Sequence, residues 1–395
     1  QAQQQLYLTE WRSLALSSEC SSGLMLVLSD AGVGVETSVG SVVPRNELAS
    51  WTDSAAYWVA MIAKRRHVEL DALVTTEVAL SLLQLQGLSA PAPTLWLCTM
   101  GAQLALDVQT AGHASMWGLA RSSRVESQLP VRCLDCLAMS TCNLSLSFSE
   151  PELVLHPMVR APRIAHAPAI AEPNVDVTRE LDDYLVAGGT GGLGMITARW
   201  LAQRGAREIT LASRSGALSN GMAVEWAKLR MSASATFVVR CNISEAAHVR
   251  RLLARAPLSG VWQLAGVLAD GVLHRQSAAA LARVCAPKAH GAWLLHIMTA
   301  STPLQTCALF SSAAAILGGA GQANYSAANA CLDALAACRR AHGCAGVSVQ
   351  WGAWAEVGMA ARSATNAAAS EILTIAGFGR ISLSQGISAL HVAVL

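Results

Sequence analysis

One eight-residue segment, AGGTGGLG from Ala187 to Gly194, constrains this chain more than any other. An apolar run, Tyr184 to Ala187, leads into it, and a helix-patterned segment, Ile196 to Gln203, follows. Glycines at a strand-to-helix turn let the backbone approach a pyrophosphate, and the helix N-terminus favours its negative charge. Strand, glycine turn and helix in this order begin a doubly wound α/β sheet. A plain glycine-rich turn is the alternative, and the strand–helix context argues against it. The turn offers Gly188, Thr190, Gly191, Gly192, Leu193 and Gly194 as cofactor contacts.

The same rhythm continues downstream. Glu208–Ala212, Thr236–Arg240, Val261–Leu264, Cys307–Phe310 and Gly346–Trp351 read as strands, while Ala278–Met298 and Tyr325–His342 read as helices. In this fold an acidic residue about 20 positions beyond the turn binds the ribose of NAD, and an Arg accommodates the phosphate of NADP. Arg214 stands 20 residues beyond Gly194, next to Ser213, and no Asp or Glu lies between Glu208 and Gly221. The reading is NADPH over NADH, with a solvated surface Arg as the alternative.

A sequence of 395 residues has room for two cores. The proline-bearing segment His166–Val177 reads as a linker, which divides the chain into residues 1–172 and 173–395. In the first part Leu24–Leu28, Leu70–Thr75 and Thr94–Thr99 are expected strands, with helices at Ser54–Lys64 and Thr76–Leu85. Both parts are expected to be Rossmann-like with parallel sheets. The segment Asp30–Gly34 (DAGVG) after the first strand reads as a degenerate, non-binding echo of the glycine turn.

Bulk properties exclude several classes. Charged residues make up 14% against 53% hydrophobic, which excludes a disordered chain. A formal net charge of +2 without a basic stripe argues against nucleic acid. No secretory signal opens the chain, and the opening reads as a cut within a longer polypeptide. No apolar stretch is long enough for a membrane span, and even the uncharged segment from Ala289 to Leu332 is broken by polar residues, Pro and Gly. The 11 cysteines, odd in number and scattered, fit a reducing, cytoplasmic setting. Cys133 and Cys136 form a lone CxxC, and no histidine cluster has ligand spacing, so no metal is expected.

Five residues are candidates for the expected chemistry. Hydride reduction of a ketone needs a proton donor for the developing alkoxide and a second donor on its oxygen. Tyr325 and Asn329, four apart, share a helix face. Ser311 and Ser312 end a strand where such sheets gather their active groups. Lys288 is the only charged side chain between Arg283 and Asp333, either snorkelling or aimed at something.

These residues resemble the short-chain dehydrogenase/reductase superfamily, whose YxxxK motif is YxxxN here, Tyr325 to Asn329. That departure is similar to the ketoreductase domains of modular type I polyketide synthases, in which Lys and Asn exchange sequence positions. The likeness extends through VCAPKAHGAWLLH around Lys288, LFSSAAAILGGAGQANYSAANACLDAL around Ser312 and Tyr325, and WGAWAEVGMA from Trp351. LYLTEWR near the start and WGLARSSRVE from Trp117 to Glu126 resemble the family's truncated, cofactor-free structural subdomain. The resemblance implies NADPH-dependent reduction of a β-ketoacyl thioester held on the phosphopantetheine arm of an acyl carrier protein, beside flanking synthase domains. In it Tyr325 protonates the oxygen, Ser312 rather than Ser311 hydrogen-bonds it, Lys288 lowers the Tyr pKa and contacts the cofactor ribose, and Asn329 orders a relay water.

The resemblance further implies cofactor contacts at Ser213, Arg214, Asn242, Ile243, Ala265 and Gly266, with Asn242 replacing the usual Asp and Gln263-Leu-Ala-Gly266 replacing HAAG. Substrate and stereocontrol positions are Leu268, Asp270, Gln322, Asn324 and Met359. The LDD-like motif is Leu268-Ala269-Asp270, position 317 is Leu rather than the A-type Trp, and position 320 is Ala rather than the B-type Pro. Together with Asn324 this implies a B-type domain giving a D (3R) hydroxyl; the alternative for Asp270 is a helix N-cap. Residues 362–377 match the family's lid. Other readings are a fatty acid synthase ketoreductase, a non-reducing or epimerising domain, and a free-standing alcohol dehydrogenase.

Overall fold

The computed structural model describes residues 72–103, 108–136, 150–155, 158–166, 182–255, 257–358 and 379–394, and the strands at 7–13, 24–29, 32–36 and 57–62. Two sheets result. The first contains β1 (Tyr7–Ser13), β2 (Leu24–Ser29), β3 (Gly32–Glu36), β4 (Tyr57–Ile62), β5 (Thr94–Met100), β6 (Val131–Cys136), β7 (Glu152–Leu155) and β8 (Val159–His166). Its order is β1-β8-β7-β6-β5-β4-β2-β3, with a parallel centre from β7 to β2 and antiparallel pairs at both ends. The second contains β9 (Asp183–Ala187), β10 (Glu208–Ser213), β11 (Ala235–Arg240), β12 (Gly260–Gln263), β13 (Thr306–Ser312) and β14 (Val347–Trp351). Its order, β11-β10-β9-β12-β13-β14, is wholly parallel.

The wholly parallel sheet is covered on both faces, as such sheets must be. All five residues of β9 are buried. Leu185 and Ala187 enter one core and Tyr184 and Val186 the other, the period-two alternation of a strand. The strand order reverses between β9 and β12, and ligands of such sheets bind beyond the strand ends at that point.

Four expectations change. Ser54–Lys64 contains a strand, β4, because a short apolar run has no period that separates helix from strand. Within Leu70–Thr75, the described residues Ala72–Thr75 belong instead to helix α1 (Ala72–Leu88), where the Thr75 and Thr76 hydroxyls both donate to the Ala72 carbonyl. Within Asp30–Gly34, the described residues Gly32–Gly34 start the edge strand β3, antiparallel to β2. Ala278–Met298 is interrupted by a π-turn at Ala286–His290. The proposed boundary at 172 and the 362–377 segment lie outside the described residues.

Three helices fix the site. Helix α2 (Ser115–Ser127) lies against the first sheet, helix α3 (Gly192–Gln203) follows the glycine turn, and helix α4 (Ala323–Ala341) carries Tyr325. A Cβ placed on Gly118 would lie 2.4 Å from the Ser326 carbonyl oxygen, so the backbones of α2 and α4 touch. Ser122 and Ser326 hydroxyls bond across the contact at 2.8 Å. Trp117 and Met116 of α2 share one apolar cluster with Ala323 and Ala327 of α4.

Candidate active site

At the end of β13 successive side chains point to opposite sides. Ser311 is buried, and its hydroxyl donates to the Asn329 carbonyl oxygen at 3.2 Å. Ser312 is half-buried, accepts from the Ala314 N–H at 3.3 Å, and lies close enough to the Tyr325 hydroxyl to pull its pKa downward. Ser312, not Ser311, therefore meets Tyr325.

Lys288 arrives from the π-turn. One extra residue per turn takes it out of helical register, and Pro287 within the segment contributes no N–H. The residue is 3% exposed, and its ammonium donates to the Phe310 carbonyl and to Asn329 Oδ1, each at 2.9 Å. Asn329 Nδ2 in turn donates to the Tyr325 carbonyl at 2.8 Å. The ammonium lies 5.2 Å from the centre of the Tyr325 ring. Gly266 leaves the space for it: a Cβ there would stand 2.9 Å from Lys288 Cε. Lys288, Asn329, Tyr325 and Ser312 thus converge from three elements.

Burial pulls the Lys288 pKa down to about 8, and the charge of Asp333 pulls it back upward. Burial also raises Tyr325 above its ordinary 10, opposed by hydrogen bonds from Asn329 and Ser312 and reinforced by Asp270. Desolvation is the largest of these influences on Tyr325. Asp333, one helical turn beyond Asn329, is pushed by burial to about 6 despite hydrogen bonds with Ser348, Ser311 and Gln350.

Two residues not expected among the site residues, Gln263 and Asp333, hold this arrangement. Gln263 Nε2 donates to the Pro287 carbonyl at 2.6 Å, and its Oε1 accepts from the Ala265 N–H at 3.1 Å. It thereby ties the loop after β12 to the turn bearing Lys288. Asp333 accepts from Ser348 at 2.6 Å behind the site. The departure from HAAG marked the first position, whereas nothing local marked the second.

The residues fit a dinucleotide. The N–H groups of Gly188 and Gly189 bond the Ala212 carbonyl, which folds the turn back over β10. Gly188 has φ +80°, and a Cβ on it would strike Ala265, so this position requires glycine. A Cβ on Gly191 would meet only the Gly188 carbonyl oxygen, at 3.5 Å, which leaves an open cradle at the start of α3. No side chain caps that helix, so its first-turn N–H groups receive no side-chain acceptor. Thr190 is buried and its carbonyl accepts from the Ser219 N–H, while Leu193 packs at Gly358. Ser213 accepts from the Gly216 N–H, and Arg214 is exposed with no ion pair among the described residues. Asn242 Oδ1 accepts from Ser244 N at 3.2 Å, leaving one lone pair for a ligand, and Ile243 is buried beneath Gly291.

Asp270 and Gln322 face each other, with Gln322 Nε2 donating to Asp270 Oδ2 at 3.4 Å. Partial desolvation raises the Asp270 carboxyl, and the Gln322 hydrogen bond lowers it. Asp270 is not an N-cap: the following turn, Leu273–Arg275, has Val272 at that position and no side-chain cap. Asn324 is buried and donates to the Ala269 carbonyl at 2.7 Å. Leu268 lies in the same loop as Asp270, and Met359 lies outside the described residues.

The family model described as KR domain matches residues 183–356. Polyketide synthase GfsA of Streptomyces halstedii is 34% identical over 379 residues, covering 90% of this chain and 5% of that protein. Pikromycin polyketide synthase component PikAIII of Streptomyces venezuelae is 34% identical over 307 residues, 73% of this chain and 20% of that protein. This chain thus spans a small fraction of those relatives. A solved structure described as A-type ketoreductases from a modular polyketide synthase superposes with TM-score 0.83 at 27% identity, covering 98% of this chain and 90% of that one.

Proposed function

From the premise that this chain belongs to the ketoreductase domains of modular polyketide synthases, we propose that it uses NADPH to reduce a β-ketoacyl thioester, carried by an acyl carrier protein, to the β-hydroxyacyl thioester. The observation that carries this reading is the Lys288 ammonium, bonded to Asn329 and seated over Tyr325 beside Ser312. Members of this superfamily use a nicotinamide cofactor.

NADPH, when bound, supplies the hydride that the ketone carbon accepts. The glycine turn, Ser213, Arg214, Asn242, Ile243, Ala265 and Gly266 would hold it, with Arg214 on the 2′-phosphate and Lys288 toward the ribose. Ser312 donates a hydrogen bond to the carbonyl oxygen. Tyr325 gives that oxygen the proton from its Oη as the C–H bond forms, and the carbonyl becomes an alcohol. The Lys288 ammonium stabilises the phenolate left on Tyr325, which burial alone would disfavour. Asn329 holds that ammonium in place and links it to the helix that carries Tyr325.

Asp270, whose charge acts on Tyr325, supports a B-type outcome, a D (3R) alcohol. Its carboxylate is engaged by Gln322 rather than by a helix end, and Leu317 stands where an A-type domain has Trp. Residues 1–172 serve as a cofactor-free support, and the neighbours are further synthase domains.

The deciding experiment is reduction of a 3-oxoacyl N-acetylcysteamine thioester by the full chain, with chiral analysis of the product. Tyr325→Phe should abolish turnover while NADPH binding persists. Retained turnover would remove Tyr325 from the acid role, and an L-configured product would overturn the B-type reading.

A further inference from the structure

Two loops lie beside Tyr325, one through the Asp270 charge that acts on its hydroxyl and the other leading directly into its helix. One, residues 268–276, bears Asp270; the other, residues 318–322, bears Gln322. They are joined directly, since the Gly271 N–H donates to the Gly321 carbonyl at 2.8 Å. Both are also held from outside the wholly parallel sheet. Glu126, in the last turn of α2, accepts the Leu273 N–H on Oε1 and the Gly321 N–H on Oε2. One carboxylate therefore spans both loops. Gly321 has φ +73°, a left-handed conformation that fixes the direction of its N–H.

The neighbouring bonds share the same origin. Ser122, four residues before Glu126 on one face of α2, accepts the Gly319 N–H at 3.2 Å. Gln84 of α1 donates to the Leu273 and Gln276 carbonyls, each at 2.9 Å. Glu126 has no salt-bridge partner among the described residues, so its charge is met by the peptide N–H groups of the two loops. Each of those N–H groups lies close in sequence to one of the paired side chains: Gly321 precedes Gln322, and Leu273 follows Asp270 by three residues.

We propose that Glu126 is a positioning residue for stereocontrol: its carboxylate sets the separation of the two loops and so the face of the ketone turned toward the cofactor. The first sheet's helices then take part in specificity as well as support. This rests on the reading of Asp270 and Gln322 as substrate-facing.

The test is Glu126→Gln in the full chain, assayed with a 3-oxoacyl N-acetylcysteamine thioester. The amide keeps one acceptor and turns an N–H₂ toward the other loop, so one charge-assisted hydrogen bond is lost and a donor faces a donor. The ratio of product enantiomers should fall about tenfold, with ketone KM raised and the NADPH Kd unchanged. If that variant fails to fold, Glu126→Asp keeps the charge but shortens the arm by one methylene, and the same change is expected. An unaltered enantiomer ratio and ketone KM would overturn the proposal. So would equal losses in ketone turnover and NADPH affinity, the mark of a merely structural role. A wild-type chain that does not reduce the thioester at all defeats the functional reading instead, which keeps the two failures apart.

Discussion

Removing the Asn329 side chain should move the pH at which the enzyme loses activity. The Lys288 ammonium has three N–H donors, and the structure gives it two acceptors, the Phe310 carbonyl and Asn329 Oδ1. Asn329→Ala leaves a buried cation with one. A hydrogen bond to a charged group is worth about 1.5–3 kcal/mol, and 1.36 kcal/mol corresponds to one pKa unit, so Lys288 should drop by about one to two units. It starts at about 8. The charged form supports Tyr325, so activity is present below this pKa and fades above it. A lower pKa moves the alkaline limb of kcat/KM to lower pH, into the neutral range. Asn329→Asp works in the opposite sense: a carboxylate beside the ammonium favours its charge, and the limb moves upward. The assay is kcat/KM for a 3-oxoacyl thioester from pH 5 to 10 at saturating NADPH. If both variants lose rate uniformly with the limb unmoved, Asn329 does not govern the charge of Lys288.

Further outcomes follow from the same contacts. Arg214→Ala should raise the KM for NADPH about ten- to a hundredfold and leave NADH little changed, measured by initial rates with each cofactor; equal wild-type efficiency with both would remove the 2′-phosphate role. Gln263→Leu strands the buried Pro287 carbonyl and Ala265 N–H, and should cost about 2–4 kcal/mol in urea unfolding with reduced kcat; an unchanged midpoint would show that the strap is dispensable. Asp270→Ala should erode the enantiomeric purity of the product without abolishing turnover, read by chiral chromatography; undiminished purity would assign stereocontrol elsewhere.

Much of the second sheet was legible because each strand is an apolar run with its own punctuation. β9, β10, β13 and β14 fall within a residue or two of the expected spans. The first sheet was less so. Tyr57–Ile62 is apolar on consecutive residues, and burial on a parallel sheet produces the same pattern as a buried helix. Tyr325 and Asn329 were readable from a spacing of four, since helix geometry alone pairs them. Lys288 was noticeable only by its isolation, and the π-turn that aims it leaves no periodic trace. Gln263, Asp333 and Glu126 act through contacts distant in sequence, such as the 195 positions separating Glu126 from Gly321, and no local pattern encodes a partner so far away. The desolvation of Tyr325 is likewise a property of the packed surroundings, which no local pattern carries.

The backbone contact between α2 and α4 bears on how such a domain can be recombined. Gly118 and Ser326 meet with no room for a methyl group, and Ser122 bonds to Ser326 one turn further along. The helix presenting the proton donor is therefore clasped by a helix encoded some 200 positions earlier. A chimera that takes residues 183–358 from one synthase and the preceding segment from another inherits a mismatched clasp, even where every catalytic side chain is retained. The transferable unit is the pair of sheets together, and crossover points chosen between them would yield proteins whose loss of activity reflects a misfitted joint rather than incompatible chemistry.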